Sequence, residues 1–254
     1  MNFFFLLGHN EIKGFLNIPK FQNRGNFFKK NIKLYEYKIV NKNWQVEECK
    51  CKHDKFFWEL SSDDFSTDSI FGIHKENEIK SKNLRELKNL NNLSSTYPDF
   101  RGNNKVLLDG AGFSSYQSDY PYEMVYKNGS ILSPLNILLN NKANNNLVFF
   151  RNIFYLPLKE NFEIYIINIK KFKIFKKFIC KTNKLNILNI ENQYLKNDNY
   201  LFSNKYIGIP IFYSEFNKQI SLEHTHPPHE YILSSDRFKT VGKIKKEIYE
   251  KIFK

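Results

Sequence analysis

Three successive stretches decide the fold class: Phe162-Glu-Ile-Tyr-Ile-Ile-Asn-Ile169, Ile174-Phe-Lys-Lys-Phe-Ile-Cys180 and Leu185-Asn-Ile-Leu-Asn-Ile190. Each is short, rich in β-branched or aromatic residues, and bounded by Lys, Thr or Asn, the pattern of strands joined by tight turns. Together they read as a β-meander. Upstream, residues 34–40 and 44–49 flank Asn41-Lys42-Asn43 as a hairpin, and Phe56-Phe-Trp-Glu-Leu60 reads as the next strand. Residues 124–127 and 130–132 flank Asn128-Gly129, a dipeptide that supplies the positive φ of a type I′ hairpin turn. Residues 206–213 and 219–224 pair around 215–218. Strands recurring with few helices between them predict a mainly β protein, an antiparallel β-sandwich or open barrel. The end of the chain departs from this pattern. Val241, Ile244, Ile248 and Ile252, spaced three, four and four and widened by Tyr249 and Phe253, predict a C-terminal amphipathic helix.

Organisation follows from composition. The stretch 75–95 is charged and rich in Asn, with Leu84, Leu87, Leu90 and Leu93 every three residues. The expected division is therefore an N-terminal β-hairpin region at 1–75, a linker or short helix at 76–97, a β-sandwich domain at 98–236 and a helix at 240–254. Hydrophobic residues at 41% and charged residues at 26% exclude wholesale disorder. Three cysteines exclude a disulfide-stapled miniprotein. No apolar run approaches the roughly 18 residues of a membrane span. Residues 2–7 are apolar, but Gly8-His9-Asn10-Glu11 follows and no positive start precedes them. They read as a first strand rather than a secretory leader, and the expected location is cytoplasmic.

The net charge of +13 invites a nucleic-acid reading. Arg, however, occurs only at Arg24, Arg85, Arg101, Arg151 and Arg237, and the rest of the positive charge is Lys. Phosphate recognition favours the bidentate guanidinium. Lys, Asn, Ile, Phe and Tyr share A/T-rich codons, so codon bias accounts for the basic protein more simply. The alternating run 170–184 reads likewise as a lysine-rich solvent face that protects a sheet edge. Nucleic acid is disfavoured.

Two stretches could carry chemistry. In Glu223-His-Thr-His-Pro-Pro-His-Glu230, strand alternation places His224 and His226 on one face, and two prolines stiffen the return of His229 or Glu230. Such a set suits a divalent metal: Zn, Fe, Ni or Mn. A site there would recruit His9, His53, His74 or a carboxylate. The bland alternative is a loop whose imidazoles bond backbone or carboxylate. The spacing His224-x-His226-x3-Glu230 resembles the first metal motif of cupins, and it is similar to the His-x-His-x-Asp-His of metallo-β-lactamases with Pro228 in place of Asp. The flanking cupin glycines are missing and no histidine follows Glu230, so neither family is carried further.

The second stretch, 109–123, contains no Lys and concentrates Gly, Ser and Tyr. Asp109, Gly110 and Gly112 can form a tight turn whose N–H groups face a ligand. Ser114, Tyr116, Gln117, Asp119 and Tyr120 then offer flat rings and hydroxyl partners for carbohydrate or another protein. A third glycine for a dinucleotide site and the glycine of a nucleophile elbow are both missing. Cys49-x-Cys51-x-His53 alternates as well, and reads as free cysteines on a strand. The sequence thus predicts a soluble β-rich binding or assembly module, with carbohydrate as the candidate ligand. A metal-dependent enzyme on His224, His226, His229 and Glu230 is the alternative, and a weak nucleic-acid binder the second alternative.

Overall fold

Phe3, Phe4, Phe5, Leu6 and Leu7 are all fully buried. A strand with apolar residues on both faces belongs inside a sheet that is covered on both sides. The computed structural model describes residues 2–22, 26–27, 32–75, 79, 81–87, 90, 101–108, 112–126, 129–224 and 237–254. Among them no helix is long and apolar enough to cross a membrane. The chain divides into two units. The first holds Met1–Tyr126, Ile153–Lys159 and Asn183–Leu185, and the second Lys127–Asn152, Glu160–Thr182 and Asn186–Lys254.

In the first unit the strands are β1 (Asn2–Phe5), β2 (Ile12–Pro19), β3 (Phe21–Gln22), β4 (Asn26–Phe27), β5 (Ile32–Val40), β6 (Asn43–Glu48) and β7 (Lys52–His53). They continue as β8 (Phe57–Ser61), β9 (Ile70–Lys75), β10 (Asn83–Leu84), β11 (Gly102–Leu108), β12 (Phe113–Ser118) and β13 (Tyr120–Pro121). One sheet has the order β10-β6-β5-β9-β1-β13, another β12-β11-β2-β8-β7, and β3 pairs with β4. Phe4, Leu34, Phe71 and Ile73 of the first sheet and Leu16, Ile18, Trp58 and Leu60 of the second share one apolar cluster. The chain passes between these sheets at Leu7, and it runs so close to β2 that an added Cβ on Gly14 would lie 1.6 Å from the Leu7 carbonyl oxygen. The expected 41–43 turn forms, with positive φ at Asn41 and Lys42. The strand expected after it joins the other sheet, where β8 pairs with β2 and β7.

The second unit holds β14 (Ile131–Pro134), a single turn α1 (Leu135–Leu138), β15 (Asn145–Arg151), β16 (Asn161–Asn168) and β17 (Lys173–Lys181). It ends with β18 (Leu185–Asn189, whose first residue belongs to the first unit), β19 (Asn199–Ser203), β20 (Ile209–Phe216), β21 (Gln219–His224) and α2 (Arg237–Ile248). The two sheets run β14-β19-β16-β17 and β18-β15-β20-β21. The expected class is present: mainly β with antiparallel sheets and a short C-terminal helix. Two local expectations fail. The first strand expected for the hairpin around 128–129 is instead a 3-10 turn at Tyr122–Tyr126, which buries Met124 and Val125, and β14 pairs with β19, while 127–128 lie outside the described residues. The meander stops after β17, because β18 lies beside β15 in the other sheet.

The helix forms where its periodicity predicts, continued by a π turn at Tyr249–Phe253. Ile244, Ile248, Tyr249, Ile252 and Phe253 pack on Leu132, Tyr165, Ile167 and Phe202. Those four residues lie on β14, β16 and β19, and the register aligns Leu132, Phe202 and Tyr165 in one row. The helix therefore covers one part of that sheet's face.

Asn183 ends the meander. Its φ of 56° is a left-handed conformation that asparagine tolerates. Its side chain donates to the carbonyls of Leu156 (2.7 Å) and Leu158 (2.9 Å) and accepts from the Phe154 N–H (2.6 Å). One amide thus fastens the segment Ile153–Lys159 within the first unit. Replacing Asn183 by Gly removes these three bonds and should cost about 2 kcal/mol of unfolding free energy. Asn183→Ala should cost about 1 kcal/mol more, because Cβ strain at positive φ is added. Urea titration checks both, and equal midpoints for wild type and Asn183→Gly would refute the latch.

Candidate functional site

The part of the β14-β19-β16-β17 face that the helix leaves uncovered forms a groove of about 760 Å³. Its lining is Asn161, Phe162, Glu163, Tyr165, Ile179, Asn204 and Lys205. Strand register brings these residues together. Glu163 of β16 lies opposite Ile179 of β17, and Asn161 lies opposite Lys181. On the other flank Ile164 aligns with Ser203, so Asn204 is the next residue beyond β19. Ile179 is 60% exposed, an apolar side chain standing open beside a carboxylate and two amides.

The polar wall is held in a fixed charge state. Lys177 donates to Glu163 Oε1 at 2.7 Å, and the Tyr165 hydroxyl donates to Glu163 Oε2. The hydrogen bond from Lys177, and next that from Tyr165, hold the Glu163 carboxyl below the usual carboxylate range. Burial, and next the bond to Glu163, push the Tyr165 phenol well above its ordinary value. Glu163 is thus an ionised acceptor and Tyr165 a protonated donor at neutral pH. The Tyr249 hydroxyl donates to the Asn204 carbonyl at 2.6 Å, tying that rim to the C-terminal segment. A smaller cavity of about 230 Å³ in the first unit is lined by Lys38, Ser66, Asp68, Ser69, Lys159 and Asn183, among others. There Asp68 already pairs with Lys159 at 3.4 Å and accepts from the Leu185 N–H at 3.2 Å.

None of the residues expected from sequence is among the residues that line this groove. His224 is the last residue of β21, opposite Ile211 and half-buried. His226, His229 and Glu230 lie outside the described residues, as do Asp109 and Gly110. His9 is hydrogen-bonded to Asn10 at 3.2 Å, His53 is exposed, and His74 is fully buried against the Tyr37 hydroxyl at 2.5 Å. Among the described residues no three His, Cys, Asp or Glu side chains gather as a metal set.

Gly112 precedes β12 and is half-buried. Ser114 and Tyr116 alternate inward on β12, opposite Val106 and Asn104, while Gln117 points to the other, exposed face. Tyr120 is fully buried and its hydroxyl donates to the Ile153 carbonyl at 3.1 Å. Asp119 accepts from Asn2 and lies 3.9 Å from Arg101. Among the described residues, Ser114 and Gln117 thus face opposite ways and Tyr120 is engaged in a buried contact. The lysine-rich face expected at 170–184 is also mixed: Phe175 and Ile179 are exposed beside Lys173, Lys177 and Lys181.

Comparisons with protein-family models, with curated proteins and with solved structures found no match.

Burial raises the Asp119 carboxyl to about 6, against the opposing pull of Arg101 and the Asn2 hydrogen bond. A raised carboxyl favours the folded state while protonated. The stabilisation is full below the unfolded value near 3.8 and is lost as pH rises through about 6. Between pH 5 and 7 the wild type should lose about 1 kcal/mol relative to Asp119→Asn. Urea titrations of both proteins at the two pH values check this, and parallel stability curves would refute it.

Proposed function

We propose that this chain is a β-rich binding module whose ligand seat is the groove on β16, β17 and β19, and that the ligand is a carbohydrate. The observation that carries the proposal is the pairing of fixed polar groups with exposed apolar surface at one place. The ionised Glu163 accepts from ligand hydroxyls, Asn161 and Asn204 both donate and accept, Lys205 donates, and Ile179 packs against a ring face. A cytoplasmic setting belongs to the same reading, supported by three cysteines that are all free thiols. In the first unit, an apolar cluster built from both sheets supports the sandwich over the open barrel.

Glycan-array screening followed by calorimetry tests the ligand class. Glu163→Gln should weaken a captured oligosaccharide about tenfold, the loss expected for a charge-assisted hydrogen bond of roughly 1.5 kcal/mol. Unfolding temperature should stay close to wild type. Capture of no glycan, or equal affinity in the variant, overturns the proposal.

The second reading is a divalent-metal site on His224, His226, His229 and Glu230, as part of a metal-dependent enzyme. It is supported by the place of His224 at the end of β21 and by the sequence that follows. Under it the purified protein carries one equivalent of Zn, Fe, Ni or Mn, released as pH falls through about 6 as the imidazoles protonate. His226→Ala then abolishes the metal while unfolding temperature stays near wild type. Elemental analysis showing no metal in the wild type after reconstitution refutes this reading.

A further inference from the structure

Cys49 and Cys51 flank the point where the chain leaves β6 of one sheet for β7 of the other, within the first unit. Both are half-buried, both pack against the apolar cluster that the two sheets share, and their thiols share a hydrogen bond. We infer that Cys49 and Cys51 form a redox-reactive dithiol, oxidised to a disulfide by thiol–disulfide exchange with a low-molecular-mass disulfide.

The surroundings divide the labour between the two sulfurs. Cys51 Sγ accepts from the Cys49 thiol and from the Glu59 N–H, and lies near the Lys20 ammonium. Lys20 is held there by the Asp54 carbonyl at 2.7 Å and by the Trp58 ring, 4.9 Å from its ammonium. The Cys49 hydrogen bond foremost, with Lys20 contributing, lowers the Cys51 thiol below its ordinary value despite burial. Cys49 shifts the other way, first through its bond to Cys51 and then through burial and the negative charge of Glu36, with Lys38 opposing. Cys51 is therefore the attacking sulfur and Cys49 the resolving one. Cys180 is buried, and burial pushes its thiol up to about 12, so it is an internal control.

The Cys51 thiolate attacks one sulfur of the small disulfide. A mixed disulfide forms, and the departing thiolate takes the electron pair and then a proton. Cys49 gives up its proton and attacks the Cys51 sulfur, and the second small thiolate leaves and is protonated. Two protein thiols are oxidised to one disulfide while one small disulfide is reduced to two thiols. Residues 49–51 belong to neither strand; two positions one residue apart stand about 6.6 Å apart at Cα when extended, near the upper end of the ~4.4–6.8 Å that disulfides span, and the link must contract to reach the ~3.5–4.5 Å Cβ separation of the bridge. A bridge at that limit is strained and readily reduced, as suits a reversible switch.

The test treats the full chain with oxidised glutathione at pH 7, then maps disulfides by mass spectrometry and counts free thiols. Wild type should lose two of its three thiols to one intramolecular Cys49–Cys51 disulfide, restored by dithiothreitol, with Cys180 still free. Cys49→Ser should stop at a glutathionyl adduct on Cys51, and Cys51→Ser should react at least about tenfold more slowly. Lys20→Gln should slow the reaction about threefold per unit rise in thiol pKa, since about tenfold less thiolate is partly offset by greater nucleophilicity. Three free thiols in oxidant-treated wild type, bridges between molecules, or undiminished reaction of Cys51→Ser would each overturn the inference. The wild-type mapping alone decides the bridge even where a variant fails to fold.

Discussion

Hydrogen bonds from side-chain amides to the backbone at strand ends hold this fold in register. Its strands are short, so the chain turns often, and each turn leaves N–H and C=O groups that burial would make costly. Asparagine supplies the missing partners. Asn183 fastens Ile153–Lys159, while Asn186 bonds the Lys181 N–H (2.8 Å) and carbonyl (3.0 Å). Asn168 accepts from the Lys171 N–H at 2.8 Å and donates to Asn199 at 2.8 Å, and Asn199 donates on to the Tyr194 carbonyl at 3.0 Å. Asn146 donates to the Asn140 carbonyl and to Asn192, both at 2.8 Å, and accepts from Ser214 at 2.6 Å. Codon bias explains why asparagine is abundant. It does not explain why these residues sit buried with their bonding capacity used.

The groove follows from how the remaining apolar surface is distributed. The stripe on α2 covers the rows of the β14-β19-β16-β17 sheet that contain Phe202, Tyr165 and Ile167. The next row, Ile179–Glu163, lies beyond that cover and keeps a solvent-facing wall. Tyr165 belongs to both regions: its ring packs 5.0 Å from Phe253, and its hydroxyl orients Glu163. Packing on one side of that ring therefore sets the electrostatics on the other.

Strand existence was legible in the sequence wherever alternation or apolar runs were strong, and the C-terminal helix was legible from Val241, Ile244, Ile248 and Ile252. Strand partnership was not. Whether β18 follows β17 into its sheet depends on one left-handed residue, Asn183, and nothing in the alternation of 185–190 encodes that turn. The close approach of Leu7 to Gly14 is equally silent in a single sequence. The groove was missed for a related reason: Asn161, Glu163, Ile179 and Asn204 are common residue types, scattered in the chain and joined only by register. The stretch 109–123 stood out by composition, but its Tyr120 and Asp119 serve buried contacts. The proximity of Cys49 and Cys51 is visible as spacing, whereas Lys20 and Glu59, which tune the Cys51 thiol, are brought near only by the fold.

The threading of the chain also constrains the order in which it folds. The Trp44 indole donates to the Tyr155 carbonyl at 3.0 Å, and the Leu87 N–H bonds the same carbonyl at 3.0 Å. Tyr155 in turn sits on a segment latched by Asn183, so the first unit is completed by residues that follow its last N-terminal strand by about thirty and sixty positions. During synthesis, a ribosome that has released Tyr126 has released an unfinished unit, which waits for Asn183 with the partners of Trp44 and Tyr120 still absent. Cleaving the chain between 126 and 127 to obtain two independent pieces therefore removes from the first the acceptors that its buried indole and phenol require. A dissection that respects this topology keeps Ile153–Lys159 and Asn183–Leu185 together with Met1–Tyr126.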